Sequence, residues 1–290
     1  MATEAADPRF IDIDGWSADA QARAIVGGQY RAIEAVDRAI DAIAAAAEAG
    51  AARLQRGGRI AYAGAGTSGR LAVQDGVELT PTYDWPEERL VFLLAGGPAA
   101  MLRGVEGAED DVAAARDDAA KAGFGADDVL VAVAASGRTP YTIAVLEAAR
   151  AAGALGIAIA SNPDATLLAV ADHAILIDTG AEVVAGSTRM GAGTGQKAVL
   201  NTLSTVMMLR LGRVYRGRMV DMRATNAKLR ARAEAIVAEL AGVDVAVAAA
   251  ALAATGFAIK PAVLVARGAA ADEAGARLAA AGGDLRRALA

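Results

Sequence analysis

The sequence predicts a doubly wound α/β fold, in which helices cover both faces of a parallel sheet of about five strands. Apolar residues make up 55% of the 290-residue chain but aromatic residues only 4%, and the alanines that fill this gap favour closely packed helices. Several short runs are apolar throughout, which is typical of strands buried on both faces. Glycine-bearing turns and helical stretches separate these runs, as in successive β-α-β units.

Amphipathic helices are predicted from Ala18 to Arg56, where apolar residues recur at intervals of three and four with charges between them. Gly57 and Gly58 are expected to end them. Two further helices are predicted by the same period, at Gln196–Leu211 and Ala224–Leu240. The candidate strands are Arg59–Ala63, Leu90–Ala95, Asp128–Ala134, Leu155–Ala160 and Ala174–Ile177.

The last fifty residues contain a weak internal repeat. It predicts two helix–glycine–helix units in a small helical tail, although coincidence in an alanine-rich segment is the alternative. We divide the chain into an N-terminal helical segment packing on the sheet domain (1–56), the sheet domain itself (57–230) and the tail (231–290). The repeat matches Leu252, Gly256, Ile259, Lys260 and Ala262 with Leu278, Gly282, Leu285, Arg286 and Ala288.

Composition excludes several classes of function. The chain has no cysteine, and therefore no disulfide framework, thiolate nucleophile or thiolate metal site, and its one histidine excludes an imidazole zinc cluster. A net charge of −5 with dispersed positive residues argues against a nucleic-acid partner. The acidic opening MATEAADPRF is unlike a secretory signal, and no apolar run approaches the roughly 20 residues of a membrane span. We therefore expect a cytoplasmic protein.

Ligands of such sheets bind at the carboxyl ends of the strands, where this sequence is informative. The first strand runs into a loop with the spacing GxGxxG, Gly64 to Gly69, which is usually interpreted as a dinucleotide site. That interpretation also requires an acid after the second strand, but the sequence there is Leu-Ala-Gly-Gly. The first loop instead carries the hydroxyls of Thr67 and Ser68, directly after Gly66, and these three residues are its candidate substrate-binding residues.

A second hydroxyl loop follows the third strand, with Ser136, Gly137, Arg138 and Thr139. Two adjacent loops of this kind, each opening a helix, supply N–H groups and hydroxyls suited to a small phosphate, so a phosphorylated sugar fits better than a dinucleotide. The alternative is that both are tight turns with ordinary helix caps. A third segment, with Ser187, Thr188, Arg189 and later Lys197, could neutralise an anion or merely cap a helix.

Four stretches of the chain resemble one enzyme family, the N-acetylmuramic acid 6-phosphate etherases of the sugar isomerase (SIS) domain superfamily. The resemblance spans nearly the whole chain and implies a flavodoxin-like three-layer sandwich. The stretches are GAGTSGRLAVQDGVELTPT, VEGAEDD, ASGRTPYTIAVLEAAR and GSTRMGAGTGQKAVLNTLSTVMM with the following MVDMRATNAKLRARA.

The resemblance implies a lyase that removes D-lactate from carbon 3 of N-acetylmuramic acid 6-phosphate, with no metal and no redox cofactor, in cell-wall amino-sugar recycling. The family's two catalytic glutamates fall on Glu78 and Glu109. With the sugar ring open, one carboxylate can remove the carbon 2 proton and a second carboxyl can assist the departing lactate oxygen.

The residue pattern alone would not single out either glutamate. Glu78, late on the helix after the first loop, is ordinarily a solvated residue. Glu109 begins a helix, where acids are favoured by the helix dipole, and Glu106 is the acid most easily confused with it. The lone His173 is expected at a strand edge and not in catalysis. Gly191 and Ala6 stand where the family usually has cations, which affects how the substrate's anionic groups are held.

Two alternatives to the etherase remain. A non-catalytic phosphosugar-binding regulatory protein would need the hydroxyl loops but not the carboxylates, and a phosphosugar isomerase of the same fold would release no lactate. A homodimer is expected, because the helices within Ala18–Ala52 and Ala198–Leu211 offer more apolar face than one sheet can cover.

Overall fold

The computed structural model describes residues 2–290 and divides them into two compact units. The first comprises residues up to Gly76 together with Glu88–Met207, and the second comprises Val77–Glu87 and Met208–Ala290. The N-terminal helices belong to the first unit, whereas 208–230 and the short segment 77–87 group with the tail. The division of the chain at 56 and 230 into folding units stays a prediction.

A parallel sheet of five strands lies in the first unit, in the order β2-β1-β3-β4-β5. Strands β1, β3 and β4 are buried along their whole length, which agrees with the apolar runs. The predicted α/β fold class is therefore confirmed, with each strand within two residues of its predicted bounds. The strands are β1 Ile60–Gly64, β2 Leu90–Leu94, β3 Val129–Val133, β4 Leu155–Ala160 and β5 His173–Leu176.

Helices of the first unit cover both faces of the sheet. The predicted helical stretch after Ser17 consists of two helices, and the second ends at Gln55, before Gly57 with its φ of 102°. One helix starts earlier than its period predicted, at Gly191 instead of Gln196. The helices are α1 Ala18–Arg38, α2 Ile40–Gln55, α3 Gly66–Val77, α5 Val112–Ala122, α6 Pro140–Ala151, α7 Thr166–Ala169 and α8 Gly191–Arg210, which continues into the second unit; α4 belongs to the second unit.

Alternate strand residues face different helices. Ala61 and Leu130 lie in a core with Tyr141 and Val145 of α6, and α5 packs on α6. On the other face, α2 contacts β3, β4 and β5, and the Tyr62 hydroxyl donates to Asp75 of α3. This two-sided cover leaves the carboxyl ends of the strands as the edge where loops can form a site.

The second unit is helical apart from one hairpin. Strands β6 Val214–Tyr215 and β7 Arg218–Met219 pair antiparallel through a turn at Arg216 and Gly217, both of which have positive φ. Its core contains Tyr215, Ile236 and Val263. The helices are α4 Leu79–Tyr83, α9 Ala227–Ala241, α10 Val245–Ala254, α11 Ile259–Ala266, α12 Ala271–Ala280 and α13 Leu285–Ala288.

The internal repeat of the tail corresponds to two helix–glycine–helix units, α10–α11 and α12–α13. Gly256 and Gly282 have φ of 61° and 66°, a left-handed conformation that favours glycine. Hydrogen bonds that span five residues close both turns equivalently, from Phe257 N to Leu252 O at 2.8 Å and from Gly283 N to Leu278 O at 2.7 Å. The repeat in the sequence therefore reports a repeated local structure.

The helices within residues 2–290 can be compared with the length and composition that a membrane-spanning helix requires. No single helix there is long and apolar enough to cross a membrane, but α9 and α10, with a bend of 108° between them, meet the length and composition requirement as a pair.

Candidate active site

The first hydroxyl loop is built by close backbone approach. Strand β1 ends at Gly64 and α3 begins at Gly66, whose φ is 53°. A β-carbon on Gly69 would lie 2.8 Å from the carbonyl oxygen of Gly64 and 2.3 Å from Leu94 Cδ1. These glycines let the helix start directly on the sheet, while Ser68 is buried. The GxGxxG spacing thus has a packing reason that requires no dinucleotide.

Arg70, the residue after this loop, makes long-range hydrogen bonds that the sequence pattern did not reveal. Its guanidinium donates from Nε to Ala100 O at 2.8 Å and from Nη2 to Arg103 O at 3.1 Å. These bonds tie α3 to the loop that leads from β2 towards Glu109. Arg70 therefore supports a backbone segment that no local sequence signal connects to it.

The second hydroxyl loop lies beside the first, because β1 and β3 are neighbours and Gly64 is opposite Val133. The Ser136 Oγ accepts from Arg138 N at 3.1 Å, which shapes the turn. Gly137 has a φ of 64°, and a β-carbon there would lie 2.2 Å from Ala165 Cβ. Thr139 precedes α6 but makes no side-chain capping bond, so its hydroxyl has no capping partner within the helix.

The third segment reaches the first loop. Gly193 N donates to Thr188 O at 2.8 Å, and a β-carbon on Gly193 would lie 3.6 Å from Thr67 Cγ2. Ser187 and Thr188 are half-buried in the turn before α8, whereas Arg189 is exposed. The structure therefore brings together Thr67 of the first loop and Thr188 of the third segment at one edge of the sheet.

Glu182 is a buried acid that the sequence pattern gave no reason to select. Its Oε2 accepts from Gly191 N and its Oε1 from Ala192 N, each at 2.9 Å. The carboxylate thus occupies the first N–H groups of α8, where the dipole favours negative charge. A β-carbon on Gly191 would lie 2.9 Å from Glu182 Oε2, so this close approach suits glycine.

Glu109 lies exposed in a short 3-10 turn, Ala108–Asp110, which packs against α6. Glu109 was predicted to begin a helix, and it lies in this 3-10 turn and not in α5, whose N-cap is Asp111, which accepts from Ala114 N at 2.8 Å. The turn keeps the Glu109 carboxylate outside the regular hydrogen bonding of α5. Glu106 is also exposed, two residues before the turn.

Glu78 is exposed at the break between α3 and α4, and it belongs to the second compact unit, whereas Glu109 belongs to the first. Its backbone carbonyl accepts from Thr82 N at 3.2 Å, and its side chain makes no capping hydrogen bond to α4. Glu78 was expected late on the helix that follows the first loop. It lies just beyond that helix, α3, and its carboxylate is exposed to solvent.

Asp75 anchors a buried polar network. Its carboxylate accepts from Tyr62 Oη at 2.8 Å, from Asn201 Nδ2 at 2.6 Å and from Ser204 Oγ at 3.1 Å. Burial raises the pKa of Asp75, although these three hydrogen bonds and the charge of Lys197 oppose the shift.

The Asp75 network joins β1, α3 and α8. Ser68, Ala72 and Asp75 lie on the buried face of α3, at spacings of four and three residues. An acidic residue on this helix face was therefore the sequence signal that could have revealed the network.

Two further residues that the sequence analysis singled out, Lys197 and His173, lie in structural positions. Lys197 donates to Asn201 Oδ1, and it is therefore part of the Asp75 network. His173 is the first residue of the edge strand β5. Among residues 2–290, no group of three or more His, Cys, Asp or Glu side chains is arranged to hold a metal ion.

Comparison with known proteins identifies the family of the chain. Residues 39–150 match the Glucokinase regulatory protein N-terminal SIS domain, and residues 111–211 match the SIS domain. An N-acetylmuramic acid 6-phosphate etherase of Deinococcus radiodurans is 49% identical over 288 residues, which cover 99% of this chain and 94% of that protein. The chain belongs to the N-acetylmuramic acid 6-phosphate etherase family.

Other etherase relatives are similar over comparable lengths. The etherase of Streptomyces avermitilis is 47% identical over 100% of this chain and 94% of its own length. The etherase of Cronobacter sakazakii is 45% identical over 100% of this chain and 98% of its own length. The resemblance carried by the sequence motifs is thus confirmed at the level of the family.

Proposed function

We propose that this etherase-family chain is a carbon–oxygen lyase that converts N-acetylmuramic acid 6-phosphate and water into N-acetylglucosamine 6-phosphate and D-lactate. The observation that carries the proposal is similarity to etherases over 99% of the chain, with the two motif acids Glu78 and Glu109 present. Their exposed side chains support it further, because a carboxyl group that exchanges protons with a substrate must be reachable.

The phosphate is proposed to bind at the two adjacent hydroxyl loops. Support comes from the neighbouring positions of β1 and β3, the helix starts that follow them, and the hydroxyls of Thr67 and Ser136. The third segment contributes Ser187, Thr188 and Arg189. The N-terminus of α8 is already occupied by Glu182, so the N–H groups proposed for the phosphate are those of α3 and α6.

The chemical steps are divided between the two carboxyl groups. In the open-chain sugar, the aldehyde acidifies the carbon 2 proton, and the Glu109 carboxylate removes it. The electron pair forms the carbon 2–carbon 3 double bond as the carbon 3–oxygen bond breaks, and Glu78 donates a proton to the departing lactate oxygen. Glu78 then takes a proton from water, whose oxygen adds to carbon 3, while Glu109 returns a proton to carbon 2. Atoms and charge balance over the cycle.

A homodimer is also proposed. Its support is the exposed apolar side of α1, where Val26, Tyr30 and Ile33 are 49%, 68% and 47% exposed. Exposed apolar side chains on one helix are typical of an interface between copies. We further propose a cytoplasmic location, since phosphorylated sugars are charged and do not cross membranes unaided.

The decisive experiment is incubation of the purified protein with N-acetylmuramic acid 6-phosphate, followed by assays for D-lactate and N-acetylglucosamine 6-phosphate. Stoichiometric release of both products is expected. A regulatory phosphosugar-binding protein would bind the sugar without releasing lactate, and a phosphosugar isomerase would convert an aldose to a ketose instead. Either result would replace the proposed activity.

A further inference from the structure

The segment Ala2–Glu4 lies at the same edge of the sheet as the hydroxyl loops. Thr3 is 0% exposed, although threonines near a protein surface are usually solvated. Its carbonyl oxygen accepts from Gly186 N at 3.1 Å, immediately before Ser187 of the third segment. Its Oγ1 accepts from Asn162 Nδ2 at 3.2 Å, just beyond the carboxyl end of β4. Thr3 therefore contacts two segments that are far apart in the chain.

Asn162 continues this connection to the second hydroxyl loop. Its Nδ2 also donates to Ala135 O at 3.0 Å, and Ala135 directly precedes Ser136. A carbonyl oxygen can only accept, so the nitrogen of the amide must face Ala135, which determines the orientation of the side chain. Thr3 uses the second hydrogen of the same nitrogen. One hydrogen of Asn162 Nδ2 thus holds the loop, and the other is bound to Thr3.

The amide oxygen of Asn162 shows why the hydrogen bond to Thr3 matters. Asn162 is 3% exposed, and its Oδ1 has no hydrogen-bond partner among residues 2–290. Without the Thr3 hydroxyl, the buried amide would keep one bond only, to Ala135. A buried amide with so few partners is costly, and the loop that it holds would rearrange to find others.

We propose that Thr3 is a positioning residue for the phosphate site. Through its hydroxyl it orients Asn162 and the loop beginning at Ser136, and through its carbonyl oxygen it holds Gly186 and the segment Ser187–Arg189. The two sides of the phosphate site are thereby kept at their working separation by a residue that touches neither the phosphate nor the reacting carbons. This role rests on the proposed function, because it presupposes a phosphosugar at these loops.

The test compares three variants with wild type. Thr3→Val keeps the volume but removes the hydroxyl, and Thr3→Ser keeps the hydroxyl but removes the methyl group. Thr179→Val is the matched control, since Thr179 lies outside the hydroxyl loops and its Oγ1 is buried but has no hydrogen-bond partner in residues 2–290. For each variant, KM and kcat are measured by lactate release, and the Kd of N-acetylglucosamine 6-phosphate is measured by calorimetry.

Thr3→Val is expected to raise both KM and this Kd about tenfold, with kcat within about twofold of wild type. Thr3→Ser and Thr179→Val are expected to match wild type. An unchanged Kd in Thr3→Val would overturn the proposal, and so would an equal loss in Thr179→Val or a loss in Thr3→Ser. If Thr3→Val does not fold, a raised Kd in the folded Thr3→Ser variant still contradicts it.

Failure of the proposed function gives a different result. In that case the wild-type protein itself releases no lactate, whereas the calorimetric comparison of the variants still measures whether Thr3 supports binding of the phosphosugar.

Discussion

Glu182 caps the helix that begins at Gly191, with both carboxylate oxygens accepting backbone N–H groups at 2.9 Å. The helix start that follows the last strand is therefore filled by an acid of the same chain. The sequence left two roles open for the glycine-rich third segment, anion binding and helix capping, and this arrangement assigns them to different groups. Its backbone N–H groups at the start of α8 bind Glu182, while the hydroxyls of Ser187 and Thr188 stay outside that interaction.

Glu182→Ala is expected to lower the free energy of unfolding by about 1–3 kcal/mol, because it leaves two buried N–H groups without an acceptor. Glu182→Gln should cost less, since one oxygen still accepts. Urea unfolding followed by circular dichroism measures both values. The exposed Glu34→Ala serves as the control for loss of one acidic charge. Equal stability of Glu182→Ala and wild type would show that the cap contributes nothing.

Ser136→Ala is expected to weaken substrate binding by about 1–3 kcal/mol, chiefly through the phosphate. The serine hydroxyl also shapes the loop, since it accepts from Arg138 N. Ser17→Ala is a matched control, because Ser17 likewise accepts a backbone N–H, from Ala20 at 3.3 Å, outside the hydroxyl loops. The measurement is KM for the phosphorylated and unphosphorylated sugars. Equal turnover of the two sugars would contradict the phosphate assignment.

Glu78→Gln is expected to exchange the carbon 2 hydrogen of the substrate with solvent deuterium while releasing little lactate. The base Glu109 is still present in this variant, and only the departing lactate oxygen lacks its proton donor. Glu109→Gln should lose both exchange and release. Loss of a general acid or base slows its step by about 10²–10⁴-fold. Deuterium incorporation is followed by NMR beside a lactate assay.

The conservative control for both variants is Glu106→Gln, which removes an exposed acid near Glu109 and should leave both activities intact. Exchange that survives in Glu109→Gln and disappears in Glu78→Gln would reverse the two roles. Near-normal lactate release in both variants would remove these glutamates from the mechanism.

Asp75 is expected to make stability depend on pH. Because burial raises its native pKa above the ordinary value of 3.8, the native state holds the proton more tightly than the unfolded chain does. The free energy of unfolding should therefore fall as pH rises from about 4 through the native pKa. A tenfold difference in proton affinity between the native and unfolded states corresponds to a fall of about 1.4 kcal/mol.

The comparison is Asp75→Asn, which lacks this titration. Urea unfolding of both proteins between about pH 4 and pH 7 should show that the advantage of wild type over Asp75→Asn is largest at the acidic end and shrinks as pH rises. Parallel stability curves across this range would mean that Asp75 has the same pKa in the native and unfolded states.

The protein is expected to have twice the 29.1 kDa mass of one chain in solution. Burial of the apolar side of α1 against a second copy is the physical reason, and light scattering at micromolar concentration measures the mass. Tyr30→Glu, which puts a charge on that side of the helix, should shift the mass towards that of a monomer. A wild-type mass equal to that of one chain would exclude the dimer.

Local patterns determined much of this protein. The buried strands were predictable because parallel strands covered on both faces appear in the sequence as short apolar runs, and β4 has its predicted bounds, Leu155–Ala160. The hydroxyl loops were predictable because glycines and hydroxyls at strand ends act over a few residues. The tail repeat was predictable for the same reason, since each unit turns at its own glycine.

The tertiary structure alone decided which remote groups meet. Glu182 reaches a helix that begins nine residues later, Asp75 meets Asn201 of α8, and Thr3 meets Asn162. None of these pairs has a spacing that a helix or strand period would reveal. A buried polar group is stable only where a partner is supplied, and in each case folding brings that partner from another element. Sequence patterns record local backbone preference and burial, whereas these pairings depend on long-range packing.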